Sequence, residues 1–502
     1  MAVELCGAKI IAPFYGTSLY VWASVLGVTL GGLAAGYFVG GFLSHRYPTK
    51  ALLHVVLGAA AFFTAIMPLT APHLMAVCSG LGVRWGSLVS AVFFMMPPLL
   101  CMGMVSPILI QLATESLQDA GRTAGKVYAV STLGGIVMTI LVGFYFIPSW
   151  GIRISVMIAS SLVAFPPVVA LFSQRRVLSS GLLVVLLAGP HMGSLAATTR
   201  TGSLAVRHRS EGLLGQVMVV DVPGRSGRTH RRLLINCISQ TAVELGNESV
   251  SLNAYIHRLV APACIKPPGS RALILGFGGG SIAMEFLKMG FLVDGLELDS
   301  RMFPLAREFF DFDPPPGAFT GIVDDARRYM RTTRRKYDIV AIDLLNGEAQ
   351  PSHVFTVEGM TDLRGILAKD GLVLIEFQGA LLGSEGIAAR SVRKTLQESG
   401  FHVLFHRAGP ADRGDTVFVA SPSPLEFSDA PIERLNPCCR SLARTGKDLV
   451  THQPIDDLPA VILRDDKPIM EILNRRENEQ WRFRVLTKGP KEFVKRRLSL
   501  FK

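Results

Sequence analysis

The sequence predicts a multi-span α-helical membrane domain followed by a doubly wound α/β domain, with a small β module between them. Three observations carry this reading. Long apolar runs with few charges fill residues 1–199, whereas nearly all Lys, Arg, Asp and Glu lie beyond Arg200. From Arg271 onward, short apolar runs alternate with helix-like segments. Glycines or acids then end four consecutive runs. At 502 residues the chain also exceeds what one core usually holds. The boundaries read as 1–199 for the helical part, 200–265 for the β module, 266–425 for the α/β domain and 426–502 for a C-terminal tail.

Stretches apolar and long enough to span a bilayer lie near 20–43, 51–70, 87–112, 127–150, 154–172 and 180–197, roughly six spans. Residues 1–12 lack a basic n-region, so no cleaved signal is expected there. In the first span Gly27, Gly31, Gly32, Gly36, Gly40 and Gly41 recur at small-xxx-small spacing, which lets helix backbones approach closely. Mid-span positions are almost free of charge, which favours packing over a transport pathway. Arg46, Lys50, Arg122, Lys126, Arg175 and Arg176 lie in odd loops, against Arg84 and Arg153 in even ones, so the positive-inside rule puts the odd loops in the cytoplasm. Six full spans would then place the soluble half outside, whereas its chemistry calls for the cytoplasm; the two readings differ by one span.

The net charge of +12 is spread among acids, so it argues only weakly for nucleic acid and fits an anionic membrane surface at least as well; no nucleic-acid partner is expected. Seven cysteines, odd in number and without CxxC spacing, speak against a disulfide framework or a zinc site and for a reducing compartment.

In the soluble half, GQVMVVDV, RRLLINCI and QTAVEL read as strands of the antiparallel β module. ALILG, FLVDGLEL, GAFTGIVDD, YDIVAIDL, GLVLIEF, FHVLFH and DTVFVAS read as a Rossmann-like sheet with a late hairpin. Such sheets bind ligands beyond the carboxyl ends of their strands. Gly276, Gly278, Gly279 and Gly280 fall there on the first strand, Glu297 and Asp299 on the second, Asp324 and Asp325 on the third, and Asp343 on the fourth. Glycines admit a nucleoside close to the backbone, and an acid about 20 residues on, here Glu297, can accept both ribose hydroxyls. No Walker lysine follows the loop. Asp325 can accept an adenine amino hydrogen, or act only as a helix N-cap.

These motifs resemble the spermidine synthase family of aminopropyltransferases, specifically the membrane-fused spermidine synthase-like proteins of bacteria. The likeness rests on GFGGGS at 276–281, LELD at 296–299, DAR at 325–327, YDIVAIDLL at 337–345 and INCISQ at 235–240. It also rests on APFYGTSLYVWASV at 12–25, MGMVSPILIQL at 102–112, GRTAGKVYAVSTLGG at 121–135 and RDDKPIMEIL at 464–473. The resemblance implies a class I methyltransferase-type catalytic domain at 266–425. In it Gly276, Gly278, Gly280 and Glu297 would hold decarboxylated S-adenosylmethionine as co-substrate, with Asp325 on its adenine. Asp343 would be the catalytic carboxylate, and Gln240, Tyr255 and Asn346 would line the amine cleft. No tightly bound cofactor and no metal are implied. The expected partners are a lipid bilayer and a small-molecule amine, with a homo-oligomer compatible.

The chain departs from the family at several positions. Gly279 replaces an Asp in the loop, Asn346 a second Asp, Leu214-Gly215 a Tyr-Gln, Ile235-Asn236-Cys237 an LDG, and His257 a common Glu. The reading is a membrane-anchored aminopropyltransferase. Its rivals are an S-adenosylmethionine-dependent methyltransferase, which the loss of the loop acid would suit, and a transporter or sensor that binds a nucleoside without turnover.

Overall fold

Long apolar runs without turn-forming clusters leave backbone polar groups no partners but their own, and they coil into helices. The computed structural model describes residues 1–16, 19–114, 116–173, 205–212, 214–224, 227–345, 350–407, 413–441, 445–450, 458–467 and 469–487. Its first helices are α1 (Ala2–Tyr15), α2 (Leu19–Arg46), α3 (Lys50–Cys78), α4 (Gly82–Ala113), α5 (Ala120–Ile140) and α6 (Ile147–Ser173). The chain divides into two compact units, Met1–Met218 with Ile235–Cys237 and Arg482–Lys502, and Val219–Leu234 with Ile238–Trp481.

Among the described residues, four helical stretches are long and apolar enough to cross a membrane: Tyr20–Arg46, Lys50–Ala71, Arg84–Ala113 and Ala120–Ser173. The expected spans at 20–43, 51–70 and 87–112 fall on the first three of these stretches. The expected spans at 127–150 and 154–172 share the fourth stretch, where a π-helical turn, Leu141–Phe146, joins α5 to α6. Gly151, at φ 77° and ψ 176°, is non-helical and breaks α6 into two helical pieces at a kink. The expected span at 180–197 lies outside the described residues. The glycine spacing of α2 has the purpose expected of it at Gly36, where an added Cβ would stand 2.4 Å from the Leu100 carbonyl oxygen of α4. Gly27, Gly31 and Gly41 face open space instead. Large apolar side chains such as Phe38 and Phe144 remain exposed on these helices.

Alternating and continuous apolar runs build the two sheets. Strands β1 (Ala205–Gly212), β2 (Gly215–Pro223), β3 (Thr229–Ile235), β4 (Ile238–Glu244) and β5 (Asn247–Ser251) lie side by side in chain order. Helix α7 (Ala254–Val260) follows, and the larger sheet begins at β6 (Arg271–Leu275). Helix α8 (Ser281–Lys288), β7 (Leu292–Glu297), α9 (Met302–Phe309), β8 (Phe319–Val323), α10 (Ala326–Thr332), β9 (Tyr337–Ile342), α11 (Val357–Ile366) and β10 (Leu367–Ala380) continue it. It ends with α12 (Ile387–Glu398) and the hairpin β11 (His402–Arg407) and β12 (Arg413–Ser421).

The seven strands run in the order β11-β12-β10-β9-β6-β7-β8. Pairing is parallel from β10 to β8 and antiparallel around β12. This is a mixed, doubly wound α/β sheet, with its order reversing beside β6, where β9 and β7 flank the first strand. Central strands are buried on both faces, so Val340, Ile342, Val373 and Ile375 meet Met360, Leu363, Val392 and Leu396 from the helices in one core.

The late RDDK segment closes this unit. Arg327, 5% exposed, donates from Nη1 and Nη2 to Asp465 at 3.2 and 3.1 Å, and from Nη1 to Thr356 Oγ1 at 3.1 Å. Its Nε meets Asp362, and Thr356 Oγ1 donates to Asp465 at 2.6 Å. Such a buried guanidinium costs about 3–5 kcal/mol when a paired partner is stripped away completely. Asp465→Asn leaves Asp362 in place, so the full chain in detergent should lose about 1–3 kcal/mol of thermal stability. An unchanged Tm would mean that the contact does not fasten the segment.

Candidate functional site

The site grows from one tight passage of backbone. After β6 the chain turns through Gly276 at φ 94°, Gly278 at φ 54° and Gly280 at φ 85°. A Cβ on Gly276 would stand 2.1 Å from the Asp343 carbonyl oxygen, so this crossing admits only glycine. Beyond it, Phe277 N and Gly278 N donate to Glu297 Oε2 at 3.1 and 3.3 Å, and Asp299 N donates to Oε1 at 3.0 Å. Burial raises the Glu297 pKa, with these backbone donors opposing it. A carboxylate has lone pairs beyond these three bonds, so Glu297 can still accept from hydroxyls.

Asp343 follows β9 directly. Its N–H donates to Leu275 O at 2.9 Å, which pins it beside the glycine loop. The Tyr255 hydroxyl, carried by α7, donates to Asp343 Oδ2 at 3.0 Å. Burial raises the Asp343 carboxyl to about 7; the Tyr255 bond opposes the rise, and Asp415 and Glu297 add to it. Burial, together with the nearby acids Asp343, Glu376 and Asp415, pushes the Tyr255 phenol well above its ordinary value.

Sequence reasoning missed Glu376 and Asp415. On β10, Ile375 pairs with Ile342 of β9, so Glu376 lies level with Asp343 on the neighbouring strand. Gln378 pairs with Asp415 of β12. Glu376 is 3% exposed, and burial lifts its pKa well above the ordinary value, with Asp343 and Asp415 adding to the rise. The available signal was a lone acid inside the otherwise apolar run GLVLIEF. Gln240 Nε2, Glu376 Oε2 and Gln378 Oε1 are buried with no hydrogen-bond partner among the described residues. Buried polar atoms in this condition call for an explanation, and a bound ligand is one.

The remaining expected residues fall as follows. Gln240 lies on β4, where its carbonyl accepts from Asn253 Nδ2 at 3.4 Å. Its neighbour Thr241 accepts from Gly279 N at 3.0 Å, and a Cβ on Gly279 would stand 2.8 Å from Thr241 Oγ1. A side chain at 279 would therefore crowd Thr241. Asp325 caps α10, accepting from Arg328 N at 2.9 Å, and its Oδ2 lies 3.6 Å from His353 Nε2. Asp324, the residue before it, donates its N–H to Glu297 O at 3.2 Å. Asn346 lies outside the described residues.

No family model matches the chain. It is 30% identical over 165 residues to the polyamine aminopropyltransferase of Vibrio vulnificus, covering 30% of this chain and 54% of that protein. It is 29% identical over 131 residues to the N-terminal histidine N-methyltransferase of Emericella nidulans, covering 25% of this chain and 23% of that protein. The polyamine aminopropyltransferase of Korarchaeum cryptofilum is 27% identical over 200 residues, covering 38% of this chain and 57% of its own. The chain thus spans under two thirds of the length of each of these relatives. Among solved structures, a probable spermidine synthase from Corynebacterium glutamicum aligns at 17% identity and a TM-score of 0.38, over 52% of this chain and 99% of its own. By its sequence similarity to several polyamine aminopropyltransferases, the chain is spermidine synthase-like.

Proposed function

We propose that the protein is a membrane-anchored aminopropyltransferase, which moves the aminopropyl group of decarboxylated S-adenosylmethionine onto a diamine such as putrescine. The observation that carries this reading is Asp343, half-buried, bonded to Tyr255, with a near-neutral carboxyl and two further acids near it, the buried Glu376 and the half-buried Asp415. The diamine arrives as a dication, because alkylammonium groups titrate near 10. As the dication enters, Glu376 and Asp415 give up their protons and pair with its charge, a task that neither Gly279 nor a neutral Asn346 performs. Asp343, once ionised, takes a proton from one ammonium. The freed nitrogen attacks the carbon bound to the sulfonium, the carbon–sulfur bond breaks, and methylthioadenosine leaves with the electron pair. A base with a pKa close to the working pH suits this transfer. Glu297 and the 276–280 loop hold the nucleoside, and Asp325 meets its adenine. The exposed apolar faces of the helices suit a lipid bilayer, and the soluble half lies in the cytoplasm, where the co-substrate is made.

The second reading is methyl transfer from intact S-adenosylmethionine. Gly279 favours it, since an acid there would repel the substrate carboxylate. Glu376 and Asp415 weigh against it for the same reason. Product analysis with putrescine and each sulfonium donor separates the two: spermidine formed from the decarboxylated donor supports the proposal, and methylated product alone overturns it.

Three outcomes follow from the geometry. Glu297→Gln should weaken methylthioadenosine binding by about 1.5–3 kcal/mol in calorimetry of the full chain, the range for hydrogen bonds to a charged acceptor. Glu376→Gln should raise the diamine KM roughly ten- to a hundredfold and leave methylthioadenosine affinity unchanged.

Asp343→Asn should abolish turnover and leave a signature in stability. The folded pKa of Asp343, about 7, lies above the unfolded carboxylate value, so its stabilising contribution is complete at low pH and is lost as pH rises through about 7. Asn never ionises. Its advantage over Asp should therefore grow by about 2–3 kcal/mol between about pH 5 and about pH 8, read from unfolding of both proteins. A constant difference would show that Asp343 is not held in its acid form.

A further inference from the structure

A second set of side chains, none used by the chemistry above, converges behind the site. His257 on α7, Glu285 on α8 and Cys439 on the four-residue helix α13 (Pro437–Arg440) are all buried, and their ligating atoms lie within 4.8 Å of one another. Cys439 Sγ stands 3.7 Å from His257 Nδ1 and 3.9 Å from Glu285 Oε2. We propose that these three residues bind a zinc ion, with water as the fourth ligand, and that the metal fastens the 437–440 segment to the two helices flanking the substrate site.

The donor set is that of zinc. Thiolate, imidazole and carboxylate together select a borderline-soft tetrahedral ion over magnesium or calcium, which take oxygen alone. With metal–ligand bonds of about 2.0–2.3 Å, tetrahedral geometry sets sulfur-to-nitrogen and sulfur-to-oxygen separations of about 3.6 Å. The observed 3.7 and 3.9 Å need to close by only a few tenths of an ångström.

The supporting contacts have the form that zinc ligands require. His257 Nε2 lies 2.9 Å from the Ser251 carbonyl, which only accepts, so the proton belongs on Nε2 and the Nδ1 lone pair faces the sulfur. Lys288 Nζ donates to Glu285 Oε1 at 2.9 Å and to Ser249 O at 2.7 Å, which turns Oε2 toward the sulfur. Asn436 bridges the set: its Oδ1 accepts from Cys439 N at 2.8 Å, and its Nδ2 meets Glu285 Oε2. The sequence showed no zinc spacing because the ligands come from three distant points in the chain, positions 257, 285 and 439.

The position explains why a metal would matter. His257 is two residues beyond Tyr255 on one helix, and Glu285 lies on the helix that opens directly after Gly280. Holding both helices fixes the phenol that donates to Asp343 and the start of the helix behind the glycine loop.

The test uses the full chain in detergent. After dialysis against metal-free buffer the protein should retain about one equivalent of zinc by elemental analysis. Chelated protein titrated with cobalt(II) should develop an intense thiolate-to-metal charge-transfer band. Cys439→Ser should lose that band, and Glu285→Gln should weaken zinc affinity more than about a hundredfold, since even supporting contacts are worth ten- to a hundredfold. Circular dichroism checks that each variant folds; if Cys439→Ser does not, the band and the stoichiometry of the unsubstituted chain decide the matter. Zinc content at the buffer level with no cobalt band overturns the proposal, as does a band that survives in folded Cys439→Ser. Because metal content and spectrum are independent of turnover, failure here leaves the aminopropyltransferase reading untouched.

Discussion

The glycine loop and Asp343 are held together by a backbone crossing that leaves no room for a side chain. Gly276 passes so close to the Asp343 carbonyl that a single carbon would overlap it, while Asp343 N donates back to Leu275. The nucleotide-type loop and the candidate base are therefore one rigid object and cannot drift apart as separate loops would. Everything else arranges itself around this crossing. Glu297 ties down the two residues after Gly276, Tyr255 reaches in from α7, and β10 brings Glu376 alongside.

The same crossing makes the site electrostatically expensive. Loss of hydration raises the carboxyls of Asp343, Glu376 and Asp415, and the charges of neighbouring acids add to the rise at Asp343 and Glu376, so each holds its proton more firmly than a free carboxylate. A fold that only needed stability would place apolar groups there. Keeping three acids in a low-dielectric cleft makes sense where a cation comes to neutralise them, and the ligand then supplies part of the stability that the empty site lacks.

Much of this was legible in the chain. The seven strands of the α/β sheet appear where apolar runs bounded by Gly and acidic residues placed them, because strands buried on both faces read continuously. Glu297, Asp325 and Asp343 fall at strand ends, as the ligand rule for such sheets requires. Glu376 and Asp415 escaped because they sit inside strands, where an acid has no positional signature until the partner strands are known. The expected spans at 127–150 and 154–172 lie in one helical run, with the non-helical Gly151 at the kink between them. Thr241 packs against Gly279 and accepts its N–H, a contact between residues 38 positions apart that the sequence alone could not place.

The contact between Arg327 and Asp465 joins residues 138 positions apart in the chain. On a ribosome, the sheet and the glycine loop are complete long before residue 465 emerges. Until then Arg327 has Asp362 and Thr356 but lacks its last carboxylate, so the domain that carries the candidate site reaches its final stability only once residue 465 is available. Folding of this unit therefore waits on residue 465, whose contact forms after the apolar helices that precede it have left the exit tunnel.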